Sequence, residues 1–114
     1  MTVNIFDQYG IETGIEIRNV KVFMDDEQEK LEIYGHIFAT GKNTYTLLEP
    51  KVELDIYDCK ELLCYTCIAE QQTDFWSQQK ASFHICLPWS LVAHMVSWEE
   101  SSGVLRVVYK RQGE

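Results

Sequence analysis

The alternation of apolar and polar residues is sharpest between Leu31 and Asp58, and it has the two-residue period of β-strands. Leu31, Ile33, Gly35, Ile37 and Ala39 fall on one face of an extended segment, with Glu32, Tyr34, His36 and Phe38 on the other. Val52, Leu54 and Ile56 alternate in the same way with Lys51, Glu53, Asp55 and Tyr57. Each set predicts a strand buried on one side only. Thr40-Gly41-Lys42-Asn43 supplies turn chemistry between them, and Pro50 stands at the start of the second strand, where a missing donor does least harm. Gly35 in mid-strand predicts a bulge or the close approach of another segment.

The flanking chain extends the pattern. Residues 2–6 predict a short first strand, and Asp7 to Gly10 a turn. Ile15 and Ile17 share one phase while Val20, Val22 and Met24 share the other, so the phase slips near Arg18-Asn19. That slip predicts a β-bulge or a strand that changes sheets. Asp25 to Glu29 reads as a solvated hairpin loop, without the Gly and Glu spacing of an EF-hand. Asp58 to Glu61 turns the chain, and Leu62 to Ala69 returns as a strand. Gln71 to Lys80 is a polar loop, followed by Ala81, Phe83, Ile85 and Leu87 on one face of a strand that Pro88 ends. Trp89 to Trp98 has two readings. Leu91, His94, Met95 and Trp98 would align on a short helix, or residues 93–98 would form a strand in hairpin with Val104–Tyr109, the favoured reading. The sum is seven to eight short strands, which predicts an all-β, immunoglobulin-like antiparallel β-sandwich forming a single domain over residues 1–114.

Composition narrows the function classes. The chain has 114 residues, 46% of them hydrophobic, which is enough to bury a core without metals or disulfides. Its net charge is −8, and residues 1–58 hold 12 acids against 5 bases while residues 59–114 hold 6 against 5. No basic stripe is available to displace counterions, so direct nucleic-acid binding is not expected. The N-terminus has no basic stretch leading into an apolar run, and no apolar segment approaches the roughly 18–20 residues that span a bilayer. A soluble, cytoplasmic protein without a membrane span is the expectation, or an extracytoplasmic one if a leader had been removed.

Tyr34-Gly35-His36-Ile37-Phe38-Ala39-Thr40-Gly41 followed by Leu54-Asp55-Ile56-Tyr57-Asp58 resembles the bacterial FxLYD-type domains. Leu54 stands for the usual Phe and Ile56 for the usual Leu. Asp58-Cys59-Lys60-Glu61-Leu62-Leu63 is similar to the family's Asp-x-x-Gly-x-hydrophobic turn, with the Gly missing, and Phe83-His84-Ile85 matches the return strand. The resemblance covers about residues 31–87 and implies an immunoglobulin-like sandwich without catalytic residues. Members often occur on exported or anchored proteins, a pattern from which this chain departs in having no signal sequence.

Chemistry is sparse. Cys64-Tyr65-Thr66-Cys67 has the C-x-x-C spacing of zinc and thiol redox sites. On a regular strand those two sulfurs point to opposite faces, and no helix N-terminus stands by to lower a thiol pKa. Cys59, Cys64, Cys67 and Cys86 therefore read first as structural thiols, with a disulfide such as Cys67–Cys86 or a metal site as alternatives. His36, His84 and His94 lie in separate segments without metal spacing, and Glu53 and Asp55 read as solvent-facing. No nucleophile elbow or phosphate-cradling loop is present, so no enzyme activity and no cofactor are expected.

The surplus is aromatic. Tyr34, Phe38, Tyr57 and Tyr65, together with His36, take the outward phase, and Trp76 sits in the polar loop. Exposed aromatics on a sheet point to an interface. The first expectation is a non-catalytic interaction module for an unidentified protein partner, acting through Tyr34, His36, Phe38, Tyr57, Tyr65 and Trp76 or through strand addition, a homodimer being one such form. A small acidic inhibitor or mimic, presenting the 25–32 hairpin to a basic partner, is the alternative. A thiol or zinc protein is the third.

Overall fold

The strand at Lys30–Ala39 is the centre of one sheet, because its alternation lets it bury a complete apolar face and pair on both edges. In the computed structural model, which describes residues 1–6, 14–25, 27–39, 48–71 and 80–111, it is β3 of eight strands. The others are β1 (Thr2–Phe6), β2 (Ile15–Asp25), β4 (Leu48–Tyr57), β5 (Leu63–Ile68), β6 (Glu70–Gln71), β7 (Lys80–Pro88) and β8 (Ser102–Arg111). They form two four-stranded sheets of order β2-β3-β7-β6 and β1-β8-β4-β5. The all-β sandwich read from the sequence is the fold observed.

Both inner faces follow the two-residue period. Leu31, Ile33 and Ile37 of β3 and Phe83, Ile85 and Leu87 of β7 face Val52, Leu54 and Ile56 of β4 and Leu105 and Val107 of β8, all buried in one cluster. At roughly 1.5–3 kcal/mol for each large apolar side chain removed from water, this cluster is the dominant stabilising term. Gly35 lies directly opposite Phe83. A Cβ at Gly35 would come 2.5 Å from the Phe83 ring, so the ring fills the space that any other residue would occupy.

The phase slip in β2 is a bulge. Arg18 pairs with His36 and Lys21 with Tyr34, so Asn19 and Val20 stand opposite Gly35 alone. Asn19 takes the left-handed conformation, φ 59°, which Asn tolerates better than most residues. In the hairpin that follows, Asp25 Oδ1 accepts hydrogen bonds from the Glu27 and Gln28 amides.

Three expectations change. First, β1 runs parallel to β8, so the β1-β8-β4-β5 sheet is not wholly antiparallel. Second, residues 93–98 form no strand and no hairpin with β8, whose partners are β1 and β4. They follow a 3-10 turn at Trp89–Leu91, with the Val92 and Ala93 amides donating to Trp89 O and the Met95 and Val96 amides to Val92 O. Third, the buried face of that segment is Trp89, Val92 and Val96, while Leu91, His94 and Met95 are exposed. Trp98 packs edge-to-face on Trp89 at 5.1 Å. The segment caps the barrel-like end of the core, so burial is set by the sheets beneath it. The turns expected at residues 7–10 and 40–43 lie outside the described residues, as does Trp76. No helix among the described residues is long and apolar enough to cross a membrane.

Candidate functional site

The outer face of the β2-β3-β7-β6 sheet carries an aromatic array. β3 contributes Glu32, Tyr34, His36 and Phe38; β7 contributes Ser82, His84 and Cys86 from across the pairing. Because the bulge resets the phase of β2, Arg18 stands beside His36 while Lys21 and Phe23 stand beside Tyr34 and Glu32. The Tyr34 ring stacks on His84 with centroids 4.4 Å apart and planes 8° apart. Phe23 meets Tyr34 edge-on at 6.1 Å. His36 and Phe38 are tilted against each other at 5.9 Å, and the Arg18 guanidinium lies 5.4 Å from the Phe38 centroid. Arg18 is itself paired with Glu16, through Nε at 2.7 Å and through Nη2. Phe23 is 52% exposed and Tyr34 41% exposed. Large rings this accessible, side by side on one sheet, are the sort of patch that marks a recognition surface.

Polar groups converge beside the rings. The Asn19 amide nitrogen lies 3.3 Å from His36 Nδ1, and with the amide donating there the imidazole carries its proton on Nε2. Partial burial, then the charge of Glu32 and a hydrogen bond to it, then Cys86, hold the Tyr34 phenol above its ordinary pKa. His84 Nε2 is buried and 3.7 Å from Glu32 Oε1, beyond hydrogen-bond reach. Between β2 and β3 at the bulge is an open cavity of about 640 Å³, walled by Phe23 and Tyr34 and edged by Asn19, Lys21, His36 and Ser82.

The expected site residues therefore divide. Tyr34, His36 and Phe38 share this face, as read from the alternation. Tyr57 projects from the opposite sheet, so it is not part of the same surface. There its hydroxyl accepts a hydrogen bond from Arg106 Nη2 at 3.4 Å. Tyr65 is a correction: it pairs with Ile56 and packs against the core, because a register shift between Ile56 and Tyr57 moves β5 out of its simple phase. Phe23 and His84 were missed as members of the face. The slip in β2 was the signal for Phe23, since it puts that residue in phase with Arg18 rather than with Ile17.

Glu53 and Asp55 are not simply solvent-facing. Asp55 is only 4% exposed, with Arg106 Nε at 2.9 Å from Oδ2 and the Thr66 hydroxyl donating to Oδ1 at 2.9 Å. Arg106 also lies 3.9 Å from Glu53 and over the Phe6 ring of β1. Burial, then the adjoining Asp55, pushes the Glu53 carboxyl up, against a smaller opposing pull from Arg106. This cluster is spent on holding strands of the second sheet together.

All four cysteines are free thiols. Cys59 is exposed in the 58–61 turn and Cys86 on the outer face, while Cys64 and Cys67 both pack against the core. The expected opposite orientation of Cys64 and Cys67 fails because Cys64 falls in the β5 irregularity. Burial, followed by the charges of Asp55 and Glu53, raises the Cys67 thiol pKa, the reverse of what a reactive thiolate needs. Cys67 and Cys86, from opposite sheets, line a smaller cavity of about 240 Å³ at the open edge beside β5 and β7. Among the described residues no three His, Cys, Asp or Glu side chains form a group able to hold a metal. No protein-family model matches the chain, and neither does any curated protein or solved structure.

Proposed function

We propose that this protein is a non-catalytic β-sandwich binding module of immunoglobulin-like topology, and that it binds a protein partner through the outer face of β2, β3 and β7. The observation that carries the reading is the accessible array Phe23–Tyr34–His84 with His36 and Phe38 beside it. Burying such rings contributes strongly to association. The other ionisable groups support it by being engaged elsewhere: Asp55 with Arg106 and Thr66, Asp25 in capping its own turn. The same engagement counts against the acidic-mimic reading, which needs those carboxylates free.

Strand order supports the topology. With β2, β3, β4, β6, β7 and β8 as the first six strands of a constant-type immunoglobulin domain, the order A-B-E-D becomes β2-β3-β7-β6 and the neighbours C and F become β4 and β8. β1 sits where the last strand would, parallel to β8. The likeness to FxLYD-type domains draws support from one turn. Asp58 Oδ1 accepts from the Lys60 and Leu62 amides at 2.8 and 3.0 Å, and Glu61, at the motif's glycine position, has φ 61°.

Phe23→Asp and Leu63→Asp test the assignment, since both residues are more than half exposed but lie on different sheets. With tagged protein and extract of the native host, a partner lost on Phe23→Asp and kept on Leu63→Asp supports the face. Partners retained by Phe23→Asp but lost by Leu63→Asp sink it.

A further inference from the structure

The geometry points to a ligand class for the cavity at the β2 bulge: an aromatic ring bearing a carboxylate. This rests on the assignment of the outer face as the binding surface. Four independent features lead to it. The walls are the exposed rings of Phe23 and Tyr34, and Tyr34 is fixed in place by its stack on His84, so a planar ring has a preformed surface to lie against. The polar rim is Asn19, Lys21, His36 and Ser82, and no residue lining the cavity is acidic although the chain has 18 Asp and Glu. Lys21 makes no ion pair among the described residues, whereas neighbouring Arg18 is occupied by Glu16. The nearest acid on the face, Glu32, is turned to the Tyr34 hydroxyl and toward His84.

The bulge is what brings these together. Without the extra residue, Lys21 would take the inward phase and Phe23 with it. The left-handed Asn19 carries its amide to His36 Nδ1, which leaves the imidazole Nε2 proton as a donor. A carboxylate held by the Lys21 ammonium and that proton, with its ring against Phe23 and Tyr34, satisfies each group. Bulges placed next to sites re-aim side chains in this manner.

N-acetylphenylalanine is the probe, with N-acetylphenylalaninamide and N-acetylalanine as controls for the charge and the ring. In two-dimensional amide NMR the acid should shift Asn19, Lys21, Phe23, Tyr34 and His36 in a saturable way, with a Kd of about a millimolar. The amide should bind about fivefold more weakly, as for one exposed charge pair. N-acetylalanine should bind about tenfold more weakly, as for one lost ring contact. Lys21→Met should bring the acid down to the amide's affinity, and Phe23→Ala, at an exposed position that leaves folding intact, should cost about tenfold. Raising the salt should weaken the acid and spare the amide. A peptide ending in phenylalanine that competes better than the free acid places the carboxylate at a partner's chain terminus; equal competition makes it a small aromatic acid. Equal binding of acid and amide, shifts centred elsewhere, or no saturable shifts overturn the assignment. A partner lost on Phe23→Asp while the acid moves nothing overturns the ligand class and leaves the face standing.

Discussion

Replacing Gly35 by alanine places a methyl carbon 2.5 Å from Cζ and 2.7 Å from Cε1 of Phe83, and 3.4 Å from the Arg18 carbonyl oxygen. Carbon atoms pack at about 3.5–4.0 Å, so the ring has to withdraw by about an ångström. It has nowhere to go, because Phe83 is 2% exposed and lies in the packed cluster with Ile33, Ile37 and Ile85. Overpacking of this kind costs about 1–3 kcal/mol. Alanine recovers part of that, about 0.5–1 kcal/mol, through the smaller entropy loss of a non-glycine strand residue. A net loss of about 1–2 kcal/mol is expected, or roughly 4–8 °C in Tm for a chain of this size. Urea denaturation followed by circular dichroism measures it. Phe83→Leu shortens the side chain and removes the clash, while its own cavity costs about 1–3 kcal/mol. The double variant should be less destabilised than the two single losses together by about 1 kcal/mol, a coupling that contact between the two residues requires. Additive losses, or a Gly35→Ala protein that unfolds at the wild-type midpoint, would refute the close approach of the ring to Gly35.

Three further outcomes are expected. A carboxyl whose pKa is raised by folding contributes stability that is full below its unfolded value and lost as pH rises through the raised one, so Glu53→Gln should be more stable than wild type at pH 7, with the gain fading as the medium approaches pH 4 in a series of urea titrations. Glu61 holds φ 61° in the Asp58 turn, and Glu61→Gly should raise the unfolding free energy by up to about 1 kcal/mol by relieving left-handed strain, whereas no gain would show that the turn is satisfied with glutamate. Titration of the native protein with a thiol reagent near pH 8 should find Cys59 and Cys86 fast and Cys67 slow, and Cys67 reacting as fast as Cys59 would contradict its burial and raised pKa.

How much of this was legible in the sequence depends on how far each signal reaches along the chain. Leu31, Ile33 and Ile37, and Val52, Leu54 and Ile56, declare their burial because a strand's faces are set by parity alone. The same holds for the bulge near Arg18, which is a break in parity, and for Gly35, whose missing side chain announces a close approach. Asp58 and Glu61 form a turn within five residues, and the turn residues name themselves.

Only the tertiary structure decided the rest. Parity says that Tyr34 and Tyr57 both point away from a core; it does not say that β3 and β4 lie in different sheets, which puts those rings on opposite sides of the molecule. It misplaced Tyr65, because the irregularity in β5 arises from pairing with β4 and leaves no mark in the local pattern. It exposed Asp55, whose burial comes from Arg106, 51 residues away, and Thr66 on a neighbouring strand. The parallel seat of β1 beside β8, and the choice of Trp89, Val92 and Val96 as the buried side of their segment, come from the same source. Alternation is a property of one strand and survives in the sequence. Sheet order, cross-strand partners and the cavity at the β2 bulge are relations between strands, and they exist only once the two sheets have closed on each other.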